Sequence, residues 1–403
     1  MGRSTSASKT GTALHRYLAG AVLVRLADEG ARVALVLLAL EKVASPALGG
    51  QLVAALMVPH VVAAPLAGAL ADRVRRRRLF HAGALVLYGI TLAACALLVG
   101  HAPSVVPLLV AVLGGCVAPL VTGGLTSLLG EIVDPTGLQR AFALDSTTYN
   151  LAGICGPALV SAIAVVSGAV AATVSLAVAA VVSGLLLGTL PLADRRGAAP
   201  KRPNLTGGVT ALWRSKSLRA VTFASSVGQI GIGALPLAAT ALAVQHNGNA
   251  AAGGALVSAF AAGALAGSLA YARKPVGAAR PVRVVLAGLF ATALPFAAVA
   301  LVPGTAAAAI LFATAGFFTG PTFSALLAVR EHEAPAEVRT QVFTIGAGSK
   351  SAAAALGAVV AGGFAHGVPL VLGVAACHAL AALCGALTLR RAEEITPSES
   401  PGR

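Results

Sequence analysis

Gly68-Ala69-Leu70-Ala71-Asp72-Arg73-Val74-Arg75-Arg76-Arg77-Arg78 joins two long apolar segments of this chain. Small residues let two helices approach closely. A burst of arginines favours the cytoplasmic side of a membrane. Asp72 stands where a helix meets the interface, placed to hold an arginine or a helix N-terminus. The stretch reads as a cytoplasmic turn between two membrane helices.

Composition carries that reading outward. With 57% hydrophobic and 11% charged residues and a mean hydropathy of +0.86, the chain is not a soluble globular protein. Apolar runs long enough to cross a bilayer recur throughout. The expected spans are 14–40, 48–71, 80–100, 104–129, 141–166, 169–192, 218–245, 251–272, 281–302, 305–329, 340–364 and 367–389. No run of alternating hydrophobicity suggests an outer-membrane barrel. The formal charge of +15 is topological. Basic residues cluster in loops on one side, from Arg16 and Arg73 through Arg214, Arg280 and Arg339. The opposite loops carry only Lys42. That asymmetry implies contact with anionic lipid and places both termini in the cytoplasm of a multi-pass plasma-membrane protein. It argues against nucleic acid as a partner. The five cysteines all fall inside apolar spans and imply neither a metal site nor a disulfide. The first apolar segment is long and charged, with no cleavage pattern, so it is expected to be retained.

One long polar interruption, 194–217, separates 1–193 from 218–403, each expected to be a six-helix bundle. Within the interruption, the part around Trp213 is expected as a short interfacial helix. The halves echo each other. Gly68-x-Leu70-Ala71-Asp72-Arg73 lines up with Gly267-x-Leu269-Ala270-Tyr271-Ala272-Arg273, an offset of 199 residues, and Pro135–Arg140 lines up with Pro335–Arg339. The second copy has Tyr271 in place of the acid, so the stronger latch belongs to the first half.

The 68–78 stretch resembles the signature loop of the major facilitator superfamily, G-x-L-a-D-R-x-G-R-R-R, with Arg75 at the glycine position. Asn150 to Pro157, with Gly153, Gly156 and Pro157, is similar to a shortened antiporter signature, and these three residues are expected to bend the fifth span. Residues 131–144 resemble the branch that includes enterobactin exporters and actinobacterial drug efflux proteins. The resemblance implies an all-α integral membrane fold of about twelve helices in two pseudo-symmetric bundles, without a cofactor or enzymatic activity. It implies export of a small molecule by a monomer, with Gly68, Asp72, Arg73 and Arg76 as a cytoplasmic gate.

Charges inside the spans mark the candidate site. Arg25, Asp28, Glu29 and Arg32 fall on one face of the first helix, with Asp28 roughly 20 Å along it from Leu14. A charge at that depth costs about 3 kcal/mol or more unless paired or wetted. The spacing allows Arg25–Glu29 and Asp28–Arg32 pairs. One reading is a self-neutralised ladder that fixes helix rotation. The other is a face lining a central cavity, with Asp28 or Glu29 as proton carrier. The resembling exporters often show an aspartate at the position of Asp28. Asp145, with Tyr149 one turn on and Asn150 beside it, is either a cavity residue or a contact for loop arginines. Lys350, deep in the eleventh span, is expected to meet an acid or an anionic ligand, or to snorkel. Arg25, Arg32 and Lys350 suggest an acidic or zwitterionic substrate. His60 and His378 read as polar packing. Phe312, Phe317, Phe318 and Phe323 are either core or an apolar wall. Gly346 to Ser351 lacks the ending of a nucleotide loop. Proton-driven export of a drug, siderophore or secondary metabolite is the favoured function, with import or a non-transporting sensor as alternatives.

Overall fold

The computed structural model describes residues 2–192, 206–247, 252–362 and 366–394. Among them there are helices and no strands. In a bilayer no water satisfies backbone amides, so an apolar chain of this length must close its hydrogen bonds within helices.

Contacts divide the chain into two units: residues 1–209 with 335–349, and residues 210–334 with 350–403. In the first unit, α1 is Gly2–Val43, α2 Pro46–Arg73, α3 Arg77–Leu98 and α4 Val105–Pro119. A π-helical turn, Leu120–Gly124, extends α4, and α5 is the short Leu129–Ile132. α6 is Leu138–Gly188, 51 residues long and broken at Gly168, whose φ of 85° and ψ of 165° suit glycine and interrupt the helix. The break falls between the expected spans 141–166 and 169–192. Glu41 receives the Ala169 N–H just past it, so a carboxylate caps the restarted helix. Backbone dihedrals stay helical through Gly153, Gly156 and Pro157. Gly156 lies against α1, where a Cβ would come within 3.0 Å of Gly30 N.

In the second unit, α7 is Gly207–Arg214, begun in the first, and carries Trp213. It is followed by α8 Lys216–Asn247, α9 Ala252–Arg273, α10 Pro281–Ala298, α11 Thr305–Glu333, α12 Arg339–Ala361 and α13 Gly367–Glu394. The first eleven residues of α12 belong to the first unit by contacts. The stretch 194–205 of the expected linker lies outside the described residues.

Nine described helices are long and apolar enough to cross a membrane, ten if the bent Pro46–Arg73 helix counts as one span. Gly168 makes two spans of α6, and α1 is long enough but carries the four charges. The internal repeat reappears in the packing. α1 runs along α6, α2 along α4, and α3 against α6 and α4. In the second unit α8 runs along α13, α9 along α11, and α10 against α11 and α13. These helix pairings recur in the two units among the described residues. The turns before α6 and α12 also match, as the Pro135/Pro335 correspondence predicts. Large apolar side chains such as Val165, Val166 and Leu301 remain uncovered, as helices facing lipid require.

Candidate functional site

The charges of α1 do not share one environment. Arg25 is turned into the protein, 2% exposed. Its Nη1 donates to Asp145 Oδ1 at 2.7 Å and its Nη2 to Thr126 Oγ1 at 2.9 Å. Thr148 Oγ1 is a further partner. Tyr17 Oη and Thr126 Oγ1 each donate to the Asp145 carboxylate at 2.8 Å. The Arg25 guanidinium also lies over the Tyr149 ring, 3.6 Å from its centroid. α1, α6 and the segment after the π turn thus meet in a buried polar cluster, in which Arg25 Nε alone of the guanidinium nitrogens is left without a hydrogen-bond partner. Asn150, the next candidate, is only half-buried.

The expected Arg25–Glu29 pair does not form, nor does Asp145 meet loop arginines. The reason is burial. A carboxylate with no solvent needs a full charge-assisted partner, whereas an i,i+4 pair on one helix contributes only about 0.3–0.5 kcal/mol. Asp145 therefore takes Arg25.

Asp28, Glu29 and Arg32 form a second group, more open. Arg32 Nη1 is 2.7 Å from Glu29 Oε2, and its Nη2 is 3.7 Å from Asp28 Oδ2. Tyr88 Oη donates to Asp28 Oδ1 at 2.8 Å. Arg32 and Glu29 side chains are 38% and 32% exposed, Asp28 only 9%. The expected Asp28–Arg32 pair is present, and Glu29 shares the same guanidinium. Two carboxylates lean on one cation.

The 68–78 turn holds a helix N-terminus. Asp72 accepts from the backbone amides of Thr340 at 3.0 Å and Gln341 at 2.8 Å, in the first turn of α12. This puts a carboxylate on the positive end of a helix dipole. Gly68 makes the approach possible, since a Cβ there would overlap Gln341 and Thr344. Thr344 Oγ1 in turn donates to Ala64 O at 2.7 Å. The arginine that turns inward is Arg77, 1% exposed, and neither Arg73 nor Arg76, which are both exposed. Arg77 pairs with Glu131, reaches Thr340 Oγ1 at 2.6 Å and lies 4.0 Å from Asp72. It starts α3, so its direction is set by that helix; Arg73 ends α2 on the open side. Arg75 takes the glycine position without a positive φ.

In the second unit Lys350 Nζ rests 4.0 Å over the Phe323 ring. An acid or an anionic ligand was the expected partner; among the described residues an aromatic face lies against the ammonium. Phe312 is core, edge-on to Phe296 at 5.3 Å. Phe317 and Phe318 line a groove instead. His378 bonds to Val374 O at 2.9 Å and packs near Phe296. Gly346 to Ser351 is continuous helix.

The partners Tyr17, Tyr88, Thr126, Arg77, Glu131, Thr340, Gln341 and Thr344 were not singled out from sequence. Polar residues within apolar spans were the available signal. Tyr88 shares that character on its helix with His81 and Thr91.

Repeated bundles of apolar helices, each with small-residue contacts and few buried charges, define a polytopic all-helical membrane protein. The chain belongs to the Major Facilitator Superfamily, whose family profile matches residues 17–358, and it is a multi-pass transporter of that group. It is 28% identical over 401 residues to a Sinorhizobium fredii (strain NBRC 101917 / NGR234) protein described as the uncharacterized MFS-type transporter y4rN, with 96% of each chain covered. Among solved structures, a bacterial homologue of the iron transporter ferroportin in an outward-facing state matches with a TM-score of 0.76 at 13% identity, covering 95% of this chain and 99% of that one. The proton:xylose symporter XylE matches with a TM-score of 0.67 at 14% identity, covering 95% and 96%. The human organic anion transporter MFSD10 matches with a TM-score of 0.67 at 16% identity, covering 94% and 99%. These likenesses are of fold.

Proposed function

We propose that this chain is a proton-coupled exporter of a small organic molecule, working in the cell membrane as a monomer by alternating access. The bundles are residues 1–193 and 218–403, joined by 194–217, with both termini cytoplasmic. The observation that carries the coupling is the sharing of Arg32 by Asp28 and Glu29. Arg25 is already committed to Asp145. The open end of the α1 charge row therefore holds one more carboxylate than cation, with a third of Glu29 uncovered. A proton neutralises that excess and removes one claim on Arg32. A conformational equilibrium follows such an event only to the extent that the two states differ in affinity for the proton. Asp72 on the α12 N-terminus, with Arg77 between Glu131 and Thr340, supplies a bond that one state keeps and the other releases.

Export as the direction is supported by the likeness of residues 131–144 to the exporter branch and of Asn150–Pro157 to the antiporter signature. Lys350, free of an acid and backed by Phe323, favours an acidic or zwitterionic substrate.

The test is dye flux in proteoliposomes under an imposed pH gradient, using a panel of anionic and zwitterionic fluorescent probes. Asp28→Asn and Glu29→Gln are compared with the parent. Loss of gradient-driven flux in at least one variant supports the reading. Full retention in both overturns proton coupling through this group. Probe accumulation in whole cells that falls when an uncoupler is added would reverse the direction.

A further inference from the structure

The second unit has a cavity of about 720 Å³ that opens to the protein surface between α9, α10 and α11, within the roughly 300–1,000 Å³ usual for small-molecule sites. Its wall is apolar, with Ala287, Phe317 and Phe318 among the lining residues. Its rim holds Lys274, Arg280 and Arg283. All three rim residues are exposed. Arg280 immediately precedes α10, so the positive end of that helix adds to the same rim. The sequence contains no Asp or Glu from 195 to 330. No acid lies on α8, α9 or α10; the acids of α11, Glu331 and Glu333, stand in its last turn beyond the lining residue Pro321, and Glu333 accepts from Ser215. In the first bundle, the equivalent turn supplies Asp72; here Tyr271 stands in its place and lines the groove.

We propose that this groove binds an anionic glycerophospholipid. The phosphate sits among Lys274, Arg280 and Arg283, and one acyl chain lies along Ala287, Phe317 and Phe318. A basic rim beside an apolar, surface-open slot between membrane helices fits that amphiphile at both ends. A soluble anion would use the rim alone, and a zwitterionic lipid would leave it unneutralised.

The experiment is thermal unfolding of the delipidated full-length protein in detergent, titrated with phosphatidylglycerol, phosphatidylcholine or inorganic phosphate. Phosphatidylglycerol is expected to stabilise the parent protein and the other two far less. The half-saturating phosphatidylglycerol concentration should rise at least about tenfold in K274Q/R280Q/R283Q. It should rise several-fold in Ala287→Trp, which fills the slot and leaves the charges; Ala291→Phe serves if that variant is unstable. The charge-matched variant R75Q/R78Q/R140Q, altered at exposed arginines elsewhere, should respond like the parent. The proposal is overturned if K274Q/R280Q/R283Q keeps the parental response. It is equally overturned if the charge-matched variant loses as much, or if inorganic phosphate alone reproduces the stabilisation.

Discussion

Arg25 Nη1 and Asp145 Oδ1 lie 2.7 Å apart, both out of reach of solvent, across 120 residues of sequence. The pair ties α1 to α6 and removes one arginine from the row of charges on α1. What remains accessible on that row is decided by this bond.

Breaking the pair from one side strands an ion. Asp145→Asn leaves Arg25 buried with a weaker partner set and should cost about 3–5 kcal/mol. Thermal unfolding in detergent checks this. The double variant Arg25→Gln with Asp145→Asn should lose clearly less than the two single losses added together, because neither residue is then left charged and alone.

Asp72→Asn keeps the shape of the side chain and removes the charge facing the α12 dipole. The loss should be about 1 kcal/mol. Hydrogen exchange at the Thr340 and Gln341 amides should accelerate by several-fold, while amides in α13 stay unchanged.

Gly68→Ala introduces a methyl group where Gln341 and Thr344 already sit. Overpacking of this kind costs about 1–3 kcal/mol. The apparent melting temperature should fall, and Thr344→Ala should restore only part of it, since the Gln341 backbone still blocks the methyl.

Glu41→Gln removes the charge that caps α6 after Gly168. The expected loss is about 1 kcal/mol, read as a lower melting temperature. Glu41→Ala should lose more, because the Ala169 amide then has no side-chain acceptor.

The span pattern was readable because helix length, hydrophobicity and loop charge are local properties. The break between the fifth and sixth spans was placed correctly for the same reason: Gly168 interrupts an otherwise uniform apolar run. The presence of charges on α1 was equally plain. Their partners were not, because Arg25 chooses among carboxylates by burial, and burial depends on α6 arriving from 120 residues away. Local spacing favoured Glu29, and tertiary desolvation favoured Asp145. In the arginine run, four identical side chains gave no hint that the one beginning α3 would turn inward. The π turn at Leu120–Gly124, which helps place Thr126 and Ser127, leaves no pattern in Leu-Val-Thr-Gly-Gly that differs from ordinary helix.

The first eleven residues of α12 complete the fold of the amino-terminal lobe although they are encoded more than a hundred residues beyond its last helix. A polypeptide ending near residue 206 would expose the Asp72 carboxylate and the Arg77 guanidinium with no peptide dipole or threonine hydroxyl to receive them. Split-gene versions of this protein should thus depend on co-synthesis of both fragments.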